Sequence, residues 1–480
     1  MRNDTSSPGP SGAPGKPATA KSGTAAPSTS TTSPASPAAT APKTSIAHTP
    51  AGRPLLHFSN YRGEVHAALT GLSGAINKLG AAVQKSGNIP QHEQVMAALR
   101  KAQTQAQSHL LDGAAPHERE LSLALSAMTG GQLVSPLDVV GFEQYDTLDV
   151  SWIKSFLNYL TTSRVPFPTH LTSTVKTFSW MPEKVTLAIA GDWGTGIAPA
   201  ISIGGYIAKR NPDYTIHLGD VYYSGLPEEE SSKLVELWPA GARGSLTLNS
   251  NHEMYAGGRG YFDVALADRK FALQNGLSYF VLQNRNWMII GLDTAYFAGD
   301  SALYQDGYLS SGATNGTVQI DWLGEMIRLA AHSDMNVIIL THHDGFDVDP
   351  YANTVTCKNL FTVMTSKLQS VKRWWWYWGH VHAGIAYQKI VSNGANNNST
   401  LYPRCIGHGG IPWEPFPDLA SVHLNEPQVK VEWAEVNTVT DSEGQSRALN
   451  GYLMVTLEGA NISETLYDEN DRATSWRPQY

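Results

Sequence analysis

Past about residue 182 the chain alternates short apolar runs with stretches whose apolar residues recur at three- and four-residue steps. The runs at 185–190, 214–218, 245–248, 288–292, 337–340 and 374–378 read as buried strands. The segments 198–210, 229–237, 318–331 and 359–368 read as helices between them. Strands alternating with helices predict an α/β sheet with helices on its faces. Near the end, 429–436, 452–457 and 463–467 read as antiparallel strands that complete a second sheet. The expected fold class is therefore α/β, with two mixed sheets flanked by helices.

Upstream the period changes. Val65, Leu69, Leu72, Ile76 and Leu79 sit on one helical face, with Gly80 as a break, and further helical patches cover about 90–111, 117–128 and 148–160. This predicts a helical N-terminal region over 54–180, ahead of a catalytic domain over 181–480. The first 53 residues are almost entirely Ala, Gly, Pro, Ser and Thr. A segment so poor in large apolar side chains cannot offset its ordering entropy by burial, so it is expected to be a disordered tail.

Composition then narrows the function classes. The net charge of −8 is spread along the chain with no basic stripe, which argues against a dedicated nucleic-acid surface. Cys357 and Cys405 lie in no metal-binding spacing and are expected to be buried free thiols. There is no apolar run long enough to span a membrane, so no span is expected. The N-terminus lacks the basic-then-apolar pattern of a secretory leader. The default expectation is a cytoplasmic protein, with export by a route needing no such leader left open. Oligomeric state is not legible.

The polar residues that change the picture stand where strands stop. These are Asp192-Trp193-Gly194, Asp220-Val221-Tyr222-Tyr223, Asn251-His252-Glu253, His342-His343-Asp344 and Gly379-His380-Val381-His382. In open α/β sheets ligands bind beyond the carboxyl ends of strands, so these clusters converge in space. Carboxylate, amide oxygen, phenol and imidazole together suit iron, manganese or zinc and not thiolate chemistry. They offer more donors than one ion accepts, as expected for two ions that share a bridging carboxylate. Singly each cluster is weak evidence, since a lone Asp after a strand is usually a helix cap. In this order, with glycines allowing tight turns, they reinforce one another.

That order resembles the calcineurin-like metallophosphoesterases: D-x-[HG], G-D, N-H-E, a later His, then G-H-x-H. Within them the chain is similar to the purple acid phosphatase branch. Gly194 stands where other branches have a ligand His, and Asp220-x-x-Tyr223 supplies a Tyr in compensation. The resemblance spans about 184–410 and the closing strands. It implies Asp192, Tyr223 and His382 on an Fe(III), and Asn251, His380 and His342 on a divalent ion (Fe, Zn or Mn), with Asp220 bridging. His343 competes with His342 for the fourth motif. The implied activity is hydrolysis of a small-molecule phosphate ester, most simply a monoester, by a metal-bound hydroxide, with His252 donating a proton to the leaving group and Glu253 orienting its neighbours. A phosphodiesterase or nuclease on the same scaffold remains an alternative, as does a non-catalytic module stabilised by its metals. The stretch 345–350, where the family places further histidines, has none. His408, in Gly407-His408-Gly409-Gly410, is a candidate to touch substrate or a neighbouring carboxylate. The Trp run at 374–378 is expected to pack the sheet.

Overall fold

Residues 162–167, 178–298, 304–309, 317–349, 354–393, 398–413, 429–440 and 446–480 are described in the computed structural model, all within the unit Thr49–Tyr480. The helices read at 54–160 and the tail over 1–53 lie outside the described residues. Of the region expected to be helical, 162–167 is irregular and Phe178–Trp180 is a strand, β1. Both are joined to residues beyond 181. β1 pairs in parallel with β5 (Phe280–Gln283), and Val165 N–H donates to Gly257 O at 2.9 Å. That approach needs glycine: at Gly257 (φ 68°) an added Cβ would fall 2.4 Å from Ser163 O. The boundary expected at 181 therefore cuts through the sheet.

Two sheets form the frame. In the smaller, β2 (Lys184–Ala190), β3 (Tyr214–His217) and β4 (Gly244–Thr247) run parallel. The β17–β18 hairpin (Gly451–Glu458, Asn461–Asp468) is added antiparallel on β2, giving five strands. In the larger, β6 (Trp287–Gly291), β7 (Asn336–Thr341), β10 (Arg373–Trp378) and β13 (Asn398–Ile406) are parallel neighbours. Antiparallel β11 (Gly384–Tyr387), β12 (Ile390–Asn393) and β14 (Val431–Ala434) extend it to nine strands with β1 and β5. The segment expected at 429–436 thus joins the larger sheet, not the one that 452–467 completes. Mixed sheets with few helices make the class α/β.

Period-2 alternation assigns each strand's two faces. Along β10, Trp375 and Tyr377 point inward, where they meet Leu187, Ile189, Ile216, Leu246, Ile338 and Leu340 between the sheets. Trp374, Trp376 and Trp378 point outward, onto Leu323, Met326 and Ile327 of α3 (Thr317–His332) and Leu360, Met364 and Leu368 of α4 (Asn359–Leu368). The Trp run is thus two packing layers read alternately. On the far side of the small sheet, Ala200, Ile203 and Ile207 of α1 (Ala198–Arg210) cover Ala188, Ala190 and Tyr452. The segment expected as one helix at 229–237 is two short turns, Pro227–Glu229 and Glu230–Val235. A single helical turn after β4, α2, spans Asn251–Met254.

One buried charge ties the sheets together. Arg404 on β13 meets Glu464 on β18 at 3.3 Å, and the carboxylate also accepts from Tyr377 (2.8 Å) and Tyr480 (3.0 Å). Removing one partner of such a pair costs about 3–5 kcal/mol, because it strands the other charge. No helix among the described residues is long and apolar enough to cross a membrane. Cys405 is buried as expected, but Cys357, at the end of a separate hairpin, β8–β9 (Phe346–Asp349, Thr354–Cys357), is exposed. A second two-stranded pair, β15–β16 (Thr438–Thr440, Ser446–Ala448), leads into β17.

Candidate metal centre

The carboxyl ends of β2, β3 and β4 in one sheet and of β7 and β10 in the other meet at one place. The backbone there is drawn tight: Asp192 N–H donates to Gly219 O and Gly379 N–H to His342 O, both at 2.9 Å. Gly219 and Gly379 leave no room for a side chain, since an added Cβ would lie 2.8 Å from His342 Nδ1 and 2.5 Å from Asp192 Oδ2, respectively. Asp192, Asp220, His380 and His382 all have positive φ, between 52° and 76°. Non-glycine residues rarely adopt this region, and such strain gathers where the surrounding structure dictates side-chain direction for function.

Asp220 is the hub, and its two oxygens face different partners. Oδ1 lies 3.2 Å from His342 Nε2, which in turn lies 2.8 Å from Asn251 Oδ1. Oδ2 accepts from the Tyr222 hydroxyl at 2.8 Å and lies 3.9 Å from His382 Nε2. His382 Nε2 is also 3.0 Å from the Tyr222 hydroxyl and 3.4 Å from Asp192 Oδ1. The ring of His380 lies 5.1 Å from that of His342, and the backbone N–H of His380 donates to Asp192 Oδ2 at 2.8 Å.

The phenol in this cluster is that of Tyr222, not of Tyr223, the residue selected by the D-x-x-Y spacing. Tyr223 is held elsewhere. Its N–H donates to Glu229 Oε1 (2.7 Å), its carbonyl accepts from His252 Nδ1 (2.8 Å), and its ring lies under Lys233 Nζ at 5.3 Å. Glu229 also accepts from the N–H groups of Ser224 and Leu226, at 3.0 and 3.1 Å, so the turn after Asp220 is clamped in a form that sends the earlier tyrosine inward.

The two histidines of the fourth motif separate by their hydrogen bonds. His343 has both ring nitrogens engaged, Nε2 to Tyr304 O and Nδ1 to Thr294 Oγ1, each at 2.8 Å. His342 donates from Nδ1 to Leu218 O at 2.9 Å, which leaves its Nε2 lone pair aimed at the cluster. Donor atoms of His342, His343 and His380 lie near enough to hold an ion, as do those of Asp192, Asp220 and His342. The occupied nitrogens of His343 make the second group, with His380 beside it, the better description.

These residues fit a metal for a specific reason. The Nε2 lone pair of His342, Asn251 Oδ1 and Asp220 Oδ1 are all acceptors, yet they face one another at 2.8–3.2 Å. Burial lowers the pKa of His342, so a second proton does not fill the gap. A cation would: donors bound at about 2.1 Å and at right angles stand about 3 Å apart. On the other side, burial and then the Asp220 charge raise Asp192 well above the usual carboxylate range. Burial alone would raise Asp220 too, but His252 and His342, when protonated, outweigh it and lower it. The two shifts run in opposite directions, so of the pair Asp192 keeps a proton more readily than Asp220. Burial, then Asp220 and Asp192, raises Tyr222 as well.

His252 is buried beside the cluster, with Nδ1 on Tyr223 O and Nε2 3.8 Å from Asp220 Oδ2. Tyr222 and Tyr255 flank its ring at 4.4 and 4.9 Å. Ser250 Oγ lies within hydrogen-bond reach of both Glu253 Oε2 and Asp220 Oδ1. Burial, then Glu230 and Asp220, raises Glu253, which favours the form in which Glu253 donates to Ser250 and Ser250 to Asp220. Ser250 was missed in the sequence, although Ser250-x-x-Glu253 has the form of a helix capping box, and Ser250 does cap α2. His408 is not brought to the cluster. Its ring is wedged between Gly384 and Gly451, where an added Cβ would lie 2.5 and 2.6 Å from Nε2, and burial lowers its pKa to about 4.

No protein-family model matches the chain, and no curated protein does. Among solved structures, it is similar to one described as GAP50, the anchor in the inner membrane complex of Plasmodium. The identity is 10%, with 60% of this chain and 85% of that one covered and a TM-score of 0.35. A second structure matches at 12% identity over 59% of this chain and 98% of its own, with a TM-score of 0.27. Likenesses this distant carry no argument about fold or function, which rest on the residues.

Proposed function

We propose that the chain is a dinuclear metal-dependent phosphoesterase of the calcineurin-like superfamily, nearest in its motifs to the purple acid phosphatases. Its proposed reaction is hydrolysis of phosphate monoesters. The observation that carries this reading is Asp220, whose two oxygens face two separate donor groups. On one side stand Asp192, Tyr222 and His382, and on the other Asn251 and His342, with His380 adjacent. This is the arrangement a bridging carboxylate needs, and it follows the division implied by the motifs except that Tyr222 replaces Tyr223.

In this reading the first group holds Fe(III) and the second a divalent ion. Bound metals supply Lewis-acid stabilisation of phosphoryl charge and a nucleophile at neutral pH. The chain's own residues do the rest. Asp220, held by Ser250, would set the spacing of the two groups. His252, anchored through Nδ1 with Nε2 turned toward Asp220, would carry a proton to the departing alkoxide. Tyr222 and Tyr255 restrict its ring to one orientation and keep bulk water away.

The test is hydrolysis by the full chain after chelator treatment and reloading with iron and a divalent ion, using an aryl phosphate monoester and its bis-aryl diester. Metal-dependent turnover that favours the monoester is the expected result. Preference for the diester would move the assignment to a phosphodiesterase, and no turnover with metals bound would leave a non-catalytic metal site.

A further inference from the structure

Within the cluster Asp192, Asp220, Tyr222, Asn251 and His342 are buried, whereas His380 and His382 keep part of their surface open to solvent. The side of the cluster nearest solvent is therefore that of these two histidines. Trp413 stands on this side. It is half-buried, and its ring centroid lies 4.7 Å from that of His382 with the planes 72° apart.

The position of Trp413 is built from the same strand end as the metal donors. After β13 the chain is pinned to the first motif by Gly409 N–H to Gly191 O (2.9 Å) and Ile411 N–H to Asp192 O (3.0 Å). From outside, Asn450 Nδ2 donates to Ile411 O at 2.9 Å, and Ala448 N–H donates to Trp413 O at 2.9 Å. Asp192 and Trp413 are thus held by one short, doubly strapped segment. A group bound at the cluster and a group against Trp413 have a fixed separation, which is what positioning of a two-part ligand requires.

We infer that Trp413 is a specificity-determining residue that packs against a planar aromatic group on the alcohol side of the substrate. The inference rests on the phosphoester reading and names the substrate class within it. A phosphoryl group drawn to the cations directs its ester oxygen toward the solvent side. An indole is broad and polarisable, which favours an aromatic ring over an aliphatic one of equal size. An aryl group and a nucleobase share this chemistry.

The experiment uses the metal-loaded full chain and measures binding by calorimetry. The probes are methylphosphonate, benzylphosphonate and cyclohexylmethylphosphonate, with a nucleoside 5′-monophosphate and ribose 5-phosphate as a second comparison. Trp413→Ala should weaken benzylphosphonate roughly tenfold, the scale of one ring-stacking contact. Methylphosphonate affinity and metal content should be unchanged, and Trp413→Phe should restore most of the loss. Weakening of the nucleotide but not of ribose 5-phosphate would extend the class to nucleobases. Equal losses for the benzyl and cyclohexylmethyl compounds, or for methylphosphonate as well, would overturn the inference. Failure of the wild-type chain to bind methylphosphonate at all would instead overturn the phosphoester reading beneath it.

Discussion

The hydroxyl of Tyr222 donates to Oδ2 of Asp220 across 2.8 Å, while the next residue, Tyr223, binds the protein through its main chain, to Glu229 and His252. Adjacent tyrosines thus have different tasks, and the difference is open to experiment.

An iron-loaded protein should be coloured, because an Fe(III)–phenolate bond absorbs in the visible. Tyr222→Phe should abolish that band and Tyr223→Phe should keep it. Loss of colour in Tyr223→Phe with retention in Tyr222→Phe would return the ligand to the D-x-x-Y position. The measurement is the visible spectrum beside metal content.

Asn251 and His252 are also neighbours with separate roles. Asn251 Oδ1 is part of the acceptor cluster, so Asn251→Ala should lower divalent-metal occupancy and activity together. His252 Nε2 stands 3.8 Å from Asp220 and is assigned no ion. His252→Ala should keep both metals while kcat falls by roughly 10²–10⁴, the scale of general acid catalysis. The defect should shrink as the leaving group improves, since a good leaving group needs no proton. An equal loss across phenols of different pKa would make His252 a positioning residue for the phosphate.

Metal uptake should release protons. Burial and neighbouring charge raise Asp192 and Tyr222, which disfavours the ionised forms that bind a cation, so binding should displace protons from them. Affinity should therefore rise with pH and fall on acidification, as protons compete for Asp192 and then for the histidines. Calorimetry in buffers of different ionisation enthalpy measures the protons released. Uptake with no proton release would mean that neither group is a ligand.

The alternation of apolar runs and helical periods, read without any structure, carried the α/β class. It also carried α1 and α4 at their observed ends and every strand that leads into the cluster, because hydrophobic periodicity and strand-end chemistry are local. The candidate residues Asp192, Asp220, Asn251, His342, His380 and His382 were legible for the same reason. Only tertiary structure decided between Tyr222 and Tyr223. That choice depends on how Glu229, from the next turn, clamps the backbone after Asp220. His342 and His343 were likewise inseparable in sequence, because their difference lies in Thr294 and Tyr304, which occupy His343 from another part of the chain. The wedging of His408 by Gly384 and Gly451, and the strap that sets Trp413 beside His382, are also long-range contacts. A side chain's direction at a strained turn is fixed by what packs around it, and that packing comes from residues distant in the sequence.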